Sequence, residues 1–172
     1  KTSSDFFLNE KIPGILQKYS KQKKIKFIHI SSINVLIKDR RDKYSISKKK
    51  GEQKLSKSYS TILRLPLIVK SSKNKILNKG EIILFYKYLN FIRLPIYPFI
   101  YPGCFYKPIE INYVCNCILK LIYNKNKFVN LQGKYKLNSY DIFKIVCYQE
   151  NKKSFKINIA WLQKFIPNFL IE

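Results

Sequence analysis

Several residue types are scarce in this chain, and each scarcity rules something out. Methionine is absent, and histidine and tryptophan occur once each in 172 residues. Cysteine occurs at 104, 115, 117 and 147, with no Cys-x-x-Cys pair. One histidine and such spacings do not supply a zinc ligand set, so no metal is expected, and the thiols read as reduced, buried side chains of a cytoplasmic protein. Glycine occurs five times, at 14, 51, 80, 103 and 133, and never as Gly-x-x-Gly-x-x-Gly or Gly-x-Gly-x-x-Gly. A dinucleotide pyrophosphate needs such a run to approach the backbone at a helix N-terminus, so this stretch carries no complete site of that kind. The sequence opens Lys1-Thr-Ser-Ser without methionine, which reads as a processed or partial chain with no signal peptide at this terminus. The densest aromatic stretch, 81–101, is broken by Lys87, Arg93, Pro95 and Pro98, so it does not supply the ~20 apolar residues of a spanning helix.

Acidic residues are also scarce: 10 against 34 basic ones, for a net charge of +24. Such an excess ordinarily suggests nucleic acid or an anionic membrane. Here it consists of lysine far more than arginine, spread along the whole chain, beside heavy use of Asn, Ile, Tyr and Phe. A/T-rich coding accounts for that pattern, so no nucleic-acid partner is expected; a basic nucleic-acid-binding module is retained as an alternative. A hydrophobic content of 46% supports a core, and the length suits one domain or a little more.

What is present is organised around residues 26–70. An apolar run at 27–30 ends in Ser31-Ser32, and a second at 61–69 contains Arg64 and Pro66. Both are short, bulky and rich in β-branched residues, as strands buried on both faces are. Between them stands Tyr44-x-x-x-Lys48, whose spacing puts phenol and amine one turn apart on one helical face. A phenol has a reference pKa of about 10, and a neighbouring ammonium favours the phenolate. A serine hydroxyl from the adjoining strand end could hold a carbinol or carbonyl oxygen against it, giving an acid/base device. The run Lys48-Lys49-Lys50 otherwise reads as a solvated face, and His29 as a covered core histidine.

Ser32, Tyr44-x-x-x-Lys48, Glu52 and Leu63-Arg64-Leu65-Pro66 together resemble the catalytic half of a short-chain dehydrogenase/reductase, nearest the extended or atypical branch of NAD-dependent epimerases, dehydratases and reductases. The short loop at 35–43 favours the atypical branch. The resemblance covers roughly residues 5–148. It implies an α/β fold: an incomplete Rossmann-like parallel sheet with flanking helices and a small C-terminal substrate lobe. It implies Tyr44 as acid/base, Lys48 as the residue that lowers its pKa and bonds the nicotinamide ribose, and Ser32 as the substrate-polarising hydroxyl. Pro66, Leu67 and Ile68 would lie near the nicotinamide. NAD or NADP is the implied cofactor, with its site incomplete here, a nucleotide sugar the implied substrate, and a homodimer a compatible assembly. A non-catalytic family member serving as an assembly subunit is the other reading, motivated by departures at Val69-Lys70-Ser71-Ser72 and at Tyr113, where the family has glycine and aspartate.

The pattern predicts 1–70 as the half of a Rossmann-like domain bearing the site, and 71–172 as the substrate lobe with closing helices. Helices are expected at 5–21, with Pro13 an alternative start, at 42–58, from 81 to about 91, at 114–123, at 140–148 behind a cap at Asn138 or Ser139, and at 161–169. Strands are expected at 107–112, 127–131, 135–137 and 154–159. Residues 73–80 read as polar loop and Pro102-Gly103 as a turn. The aromatics of 81–101 read mainly as core of the lobe, with nucleotide contact or peripheral membrane contact as alternatives.

Overall fold

The computed structural model describes residues 3–72, 75–77, 81–92, 94–101, 104–125 and 128–158. The Pro102-Gly103 turn and the helix at 161–169 lie outside them; of the expected loop at 73–80, residues 75–77 are described and form a strand instead, paired antiparallel with 70–72. In chain order the first elements are α1 (Ser3–Gln22), β1 (Phe27–Ser32), a 3-10 turn (Ile33–Leu36), α2 (Lys43–Gln53), β2 (Ser60–Leu65), β3 (Ile68–Ser72) and β4 (Lys75–Leu77). There follow α3 (Glu81–Phe91), β5 (Ile96–Tyr101), β6 (Phe105–Tyr106), β7 (Ile109–Glu110), α4 (Ile111–Ile122), β8 (Phe128–Asn130), β9 (Leu137–Asn138), α5 (Ser139–Gln149) and β10 (Lys153–Asn158). The architecture is α/β with parallel strands and flanking helices.

Contacts divide the chain into two units, Lys1–Ile68 with Ile109–Gly133, and Val69–Pro108 with Lys134–Glu172. A single cut at residue 70 would assign 109–133 to the second half. The segment belongs to the first unit because Val114 and Leu121 of α4 bury themselves with Leu63, Leu65, Ile109 and Leu131.

The first unit is built on a parallel sheet of order β1-β2-β8. Phe27 pairs with Ser60 and Ser32 with Leu65, and β8 joins β2 at Ile62–Phe128. The alternation of a strand sorts the contacts. Leu63 and Leu65 meet α4, while Ser60 and Arg64 meet α1 and α2: Gln17 Nε2 donates to Ser60 Oγ at 3.0 Å, and Arg64 reaches Glu52. The apolar run at 61–69 is not one strand. β2 stops at Leu65 because Pro66 has no N–H to give a ladder and its ring fixes φ. Helix α4 begins three residues earlier than its apolar pattern, because the Glu110 carboxylate caps it, accepting from Asn112 N at 2.7 Å and Tyr113 N at 3.2 Å.

Helix α1 runs unbroken through Pro13. Proline in a helix interior frees the carbonyl four residues earlier, here that of Asn9. That oxygen faces Gly51 of α2: a Cβ built at Gly51 would fall well inside van der Waals contact of it, and 3.4 Å from Pro13 Cγ. The proline that breaks the local pattern is thus accommodated by a glycine on the partner helix, which lets two backbones approach. Helix α2 is shorter than its pattern, closing at Gln53 through tight bonds from Lys54 N to the Gly51 carbonyl and from Leu55 N to the Glu52 carbonyl, 3.3 and 3.0 Å. Leu55 is then buried beyond the helix end.

The second unit pairs β5 with β10 in parallel and packs α3 and α5 together. Its core is aromatic. Phe143 is fully buried, with Phe85 and Phe99 rings 5.3 and 5.1 Å away, and the buried Tyr97 hydroxyl donates to the Leu89 carbonyl at 2.9 Å. Helix α5 opens on a capping box, with Asp141 N donating to Asn138 Oδ1 and Asn138 N to Asp141 Oδ2. Of the four thiols only Cys147 is buried; Cys104 and Cys115 are exposed, contrary to the expectation of buried thiols, because they stand on the outward side of a loop and a helix.

The two helical glycines of the first unit should respond oppositely to alanine. Gly51→Ala is expected to cost roughly 1–3 kcal/mol, since neither backbone can give way. Gly14→Ala meets only Lys54, its Cβ at 3.5 Å and its carbonyl oxygen at 3.9 Å, and should stabilise by ~0.5–1 kcal/mol through helix propensity. Urea unfolding of the two variants measures both.

Candidate active site

Strand β1 and helix α2 bring the three expected residues to one neighbourhood. Ser32 is the last residue of β1, and its hydroxyl oxygen accepts from Asn34 N at 3.2 Å, which turns the chain into the 3-10 segment. Asp42 caps α2 by accepting from Ser45 N at 2.9 Å, so Tyr44 stands in the first turn. The Ser32 hydroxyl is hydrogen-bonded to the Tyr44 phenol. Lys48 follows one turn on, and its Nζ donates to the Ile30 carbonyl at 3.4 Å. A further turn places Glu52, buried, in a bidentate pair with Arg64: Nη2 to Oε2 at 2.6 Å and Nε to Oε1 at 3.0 Å. Tyr44, Lys48 and Glu52 therefore descend one face of α2, as an i, i+4, i+8 row must.

Electrostatics alter one expected role. Burial pushes the Tyr44 phenol above its usual value; the hydrogen bond with Ser32 opposes this and the Asp42 carboxylate reinforces it. The net direction is upward, not the depression implied for a phenol beside a lysine. Near neutrality Tyr44 is a protonated donor. Pro66 and Leu67 form the half-buried link after β2, where the Leu67 carbonyl accepts from Ile109 N at 2.9 Å, and Ile68 packs against the core cluster of this unit. These three follow directly on the end of β2, and the Leu67 carbonyl ties the segment to Ile109.

The sequence pattern gives Glu52 and Arg64 no role beyond their match to a motif, and leaves Asp42 unassigned where the loop at 35–43 meets the helix at 42–58. An aspartate two residues before the tyrosine, just ahead of a helical row, is a recognisable cap signal. His29 is the buried histidine expected, stacked on Phe27 with ring centroids 6.5 Å apart. Burial, then the Lys48 charge, lower its pKa to about 4, with Glu52 opposing.

No protein-family model and no curated protein sequence matches the chain. Solved structures do. A dTDP-4-dehydrorhamnose reductase from Bacillus anthracis, in complex with NADP, superposes with a TM-score of 0.65 at 14% identity, over 89% of this chain and 57% of its own. A UDP-glucuronic acid 4-epimerase from Bacillus cereus, in complex with NAD, gives 0.65 at 19% identity, over 92% and 58%. A dTDP-glucose 4,6-dehydratase from Bacillus anthracis, in complex with NAD, gives 0.64 at 14%, over 89% and 56%. The fold is Rossmann-like. More particularly, it is the fold of NAD(P)-dependent epimerases, dehydratases and reductases of the short-chain dehydrogenase/reductase type, and the chain spans a little over half the length of those structures. Among the described residues no helix is long and apolar enough to cross a membrane.

The His29 value gives a pH test. Below its unfolded value of 6.5 the unfolded chain takes up a proton that the folded chain refuses until about pH 4. This group leaves stability untouched above pH 6.5 and lowers it as pH falls from 6.5 to 4, by about 3 kcal/mol in all. His29→Gln should flatten that part of the profile, measured by urea unfolding at several pH values.

Proposed function

We propose that the chain belongs to the epimerase/dehydratase group of short-chain dehydrogenase/reductases and acts, as part of a longer protein, on a nucleotide sugar through Ser32, Tyr44 and Lys48. The observation that supports this is the Ser32–Tyr44 hydrogen bond beside a parallel strand end, with Lys48 one turn along. The Ser32 hydroxyl holds the reacting oxygen of the sugar. Tyr44, kept protonated by burial, gives its proton to that oxygen as a carbonyl is reduced and is left as phenolate; in the reverse direction that phenolate takes the proton of the carbinol. Lys48 anchors the helix to the Ile30 carbonyl and presents an amine toward a ribose.

Tyr44 and Lys48, with Pro66, Leu67 and Ile68 following β2, fit the nicotinamide end of NAD or NADP, and the cofactor when bound would supply the hydride exchange. They do not fit the pyrophosphate end, since the chain carries no glycine-rich turn. That end falls to other residues of the longer protein. The 172-residue chain alone should bind NAD(P) weakly; tight binding by calorimetry would contradict this division. The protein is assigned to the cytoplasm on the same reading.

A homodimer is the assembly this reading takes, supported by α1, where Leu8, Ile12, Ile15 and Tyr19 are each 38–62% exposed in a 4-3-4 spacing. Ile15→Asp should lower the mass measured by light scattering to that of a monomer.

Tyr44→Phe in the longer protein should cut kcat by on the order of 10²–10⁴ while leaving the circular dichroism melt unchanged. Activity retained in that variant would remove Tyr44 from the mechanism.

A further inference from the structure

The end of the parallel sheet opposite Ser32 plays no part in that chemistry. There the end of α1, the turn before β2 and the loop after α4 surround a cleft of about 730 Å³. Five of its nine lining residues are lysines, Lys21, Lys24, Lys26, Lys57 and Lys125, and none is acidic. Lys26 directly precedes β1, so a strand length, ~17 Å, separates the cleft from Ser32.

The backbone draws these cations together. Helix α1 ends in a Schellman motif, with Ile25 N donating to the Ser20 carbonyl at 2.8 Å and Lys24 N to that of Lys21 at 3.2 Å. The left-handed residue of such a motif is usually glycine; here it is Lys24, at φ 55. The strained position is occupied by a side chain that lines the cleft, and strain of this kind gathers at functional sites. Lys26 Nζ donates to the Asn124 carbonyl at 2.6 Å, which ties the segment bearing Lys125 to the start of β1. Lys21 lies over the half-exposed Tyr59 ring, 4.2 Å from its centroid.

We infer that this cleft is a binding site for a linear polyphosphate anion, whether a free condensed phosphate or the phosphate chain of a nucleotide. Lysine is a compact point charge on a flexible stem, suited to phosphate oxygens without the planar geometry arginine demands. Five such charges around one concavity match an anion of several linked phosphates better than a single carboxylate.

The chain is lysine-rich throughout, so the test is matched for charge. Sodium tripolyphosphate is titrated into the chain by calorimetry at physiological ionic strength. Lys57→Ala/Lys125→Ala should weaken binding at least tenfold, while Lys49→Ala/Lys153→Ala, which removes the same charge from exposed positions elsewhere, should weaken it less than twofold. Lys24→Gly relieves the left-handed backbone, so its expected loss of affinity, at least threefold, cannot come from unfolding. A nucleoside triphosphate that binds more tightly than tripolyphosphate, with the advantage lost in Tyr59→Ala, would assign the nucleotide; equal affinities would assign the free polyphosphate. Equal weakening by the two lysine pairs, or no binding by the unsubstituted chain, would overturn the site.

Discussion

The buried pair between Arg64 and Glu52 is the contact on which the candidate site depends. It fastens α2 to β2 at one rotation and one height. Two parallel hydrogen bonds offset part of the cost of taking both charges from water, and a guanidinium fork accepts a carboxylate in few orientations. Once Glu52 is seated, helical periodicity leaves no freedom to the residues four and eight positions earlier. Lys48 arrives at the Ile30 carbonyl and Tyr44 at Ser32. The contact of Gly51 with the Asn9 carbonyl works in the same sense, pressing α1 and α2 together so that α2 is held on two sides.

Burial then sets the charge state of what the helix delivers. The phenol rises and the imidazole of His29 falls, so both are neutral at physiological pH inside a chain whose net charge is +24. A neutral phenol is a proton donor, which accords with the carbonyl-reducing direction of the proposed reaction. The excess of positive charge stays largely on the surface, where one concavity collects five lysines.

Much of this was legible in the residues. Ser31-Ser32 after an apolar run, the Tyr44-to-Lys48 spacing and the Arg64-Leu65-Pro66 string marked strand, helix and strand in the right order. The aromatics of α3 and β5 read as core, and Phe85, Tyr97 and Phe99 are packed there. Misreadings arose where a distant group answered a local need. Pro13 looked like a helix start, yet the carbonyl it frees is met by another helix. The opening of α4 seemed to lack its carboxylate because Glu110 precedes the apolar row instead of lying within it. The helix at 42–58 looked longer because its polar pattern carries no stop, while Leu55 is drawn off into the core. Lys48 seemed bound to depress Tyr44 because spacing gives proximity but not burial, and burial dominates.

By itself the sequence determined the local matters: that strand, helix and strand follow one another over 27–65, which face of α2 carries phenol and amine, and that no glycine-rich phosphate turn is present, because these follow from residue type and period alone. The tertiary structure alone decided that residues 109–133 belong with the first unit, that Glu52 and Arg64 lock the helix, that Tyr44 rests protonated, and that lysines from three separate segments meet in one cleft. Each of these depends on how close groups far apart in the chain are brought and on how much water is removed from between them, and neither quantity is written in sequence spacing.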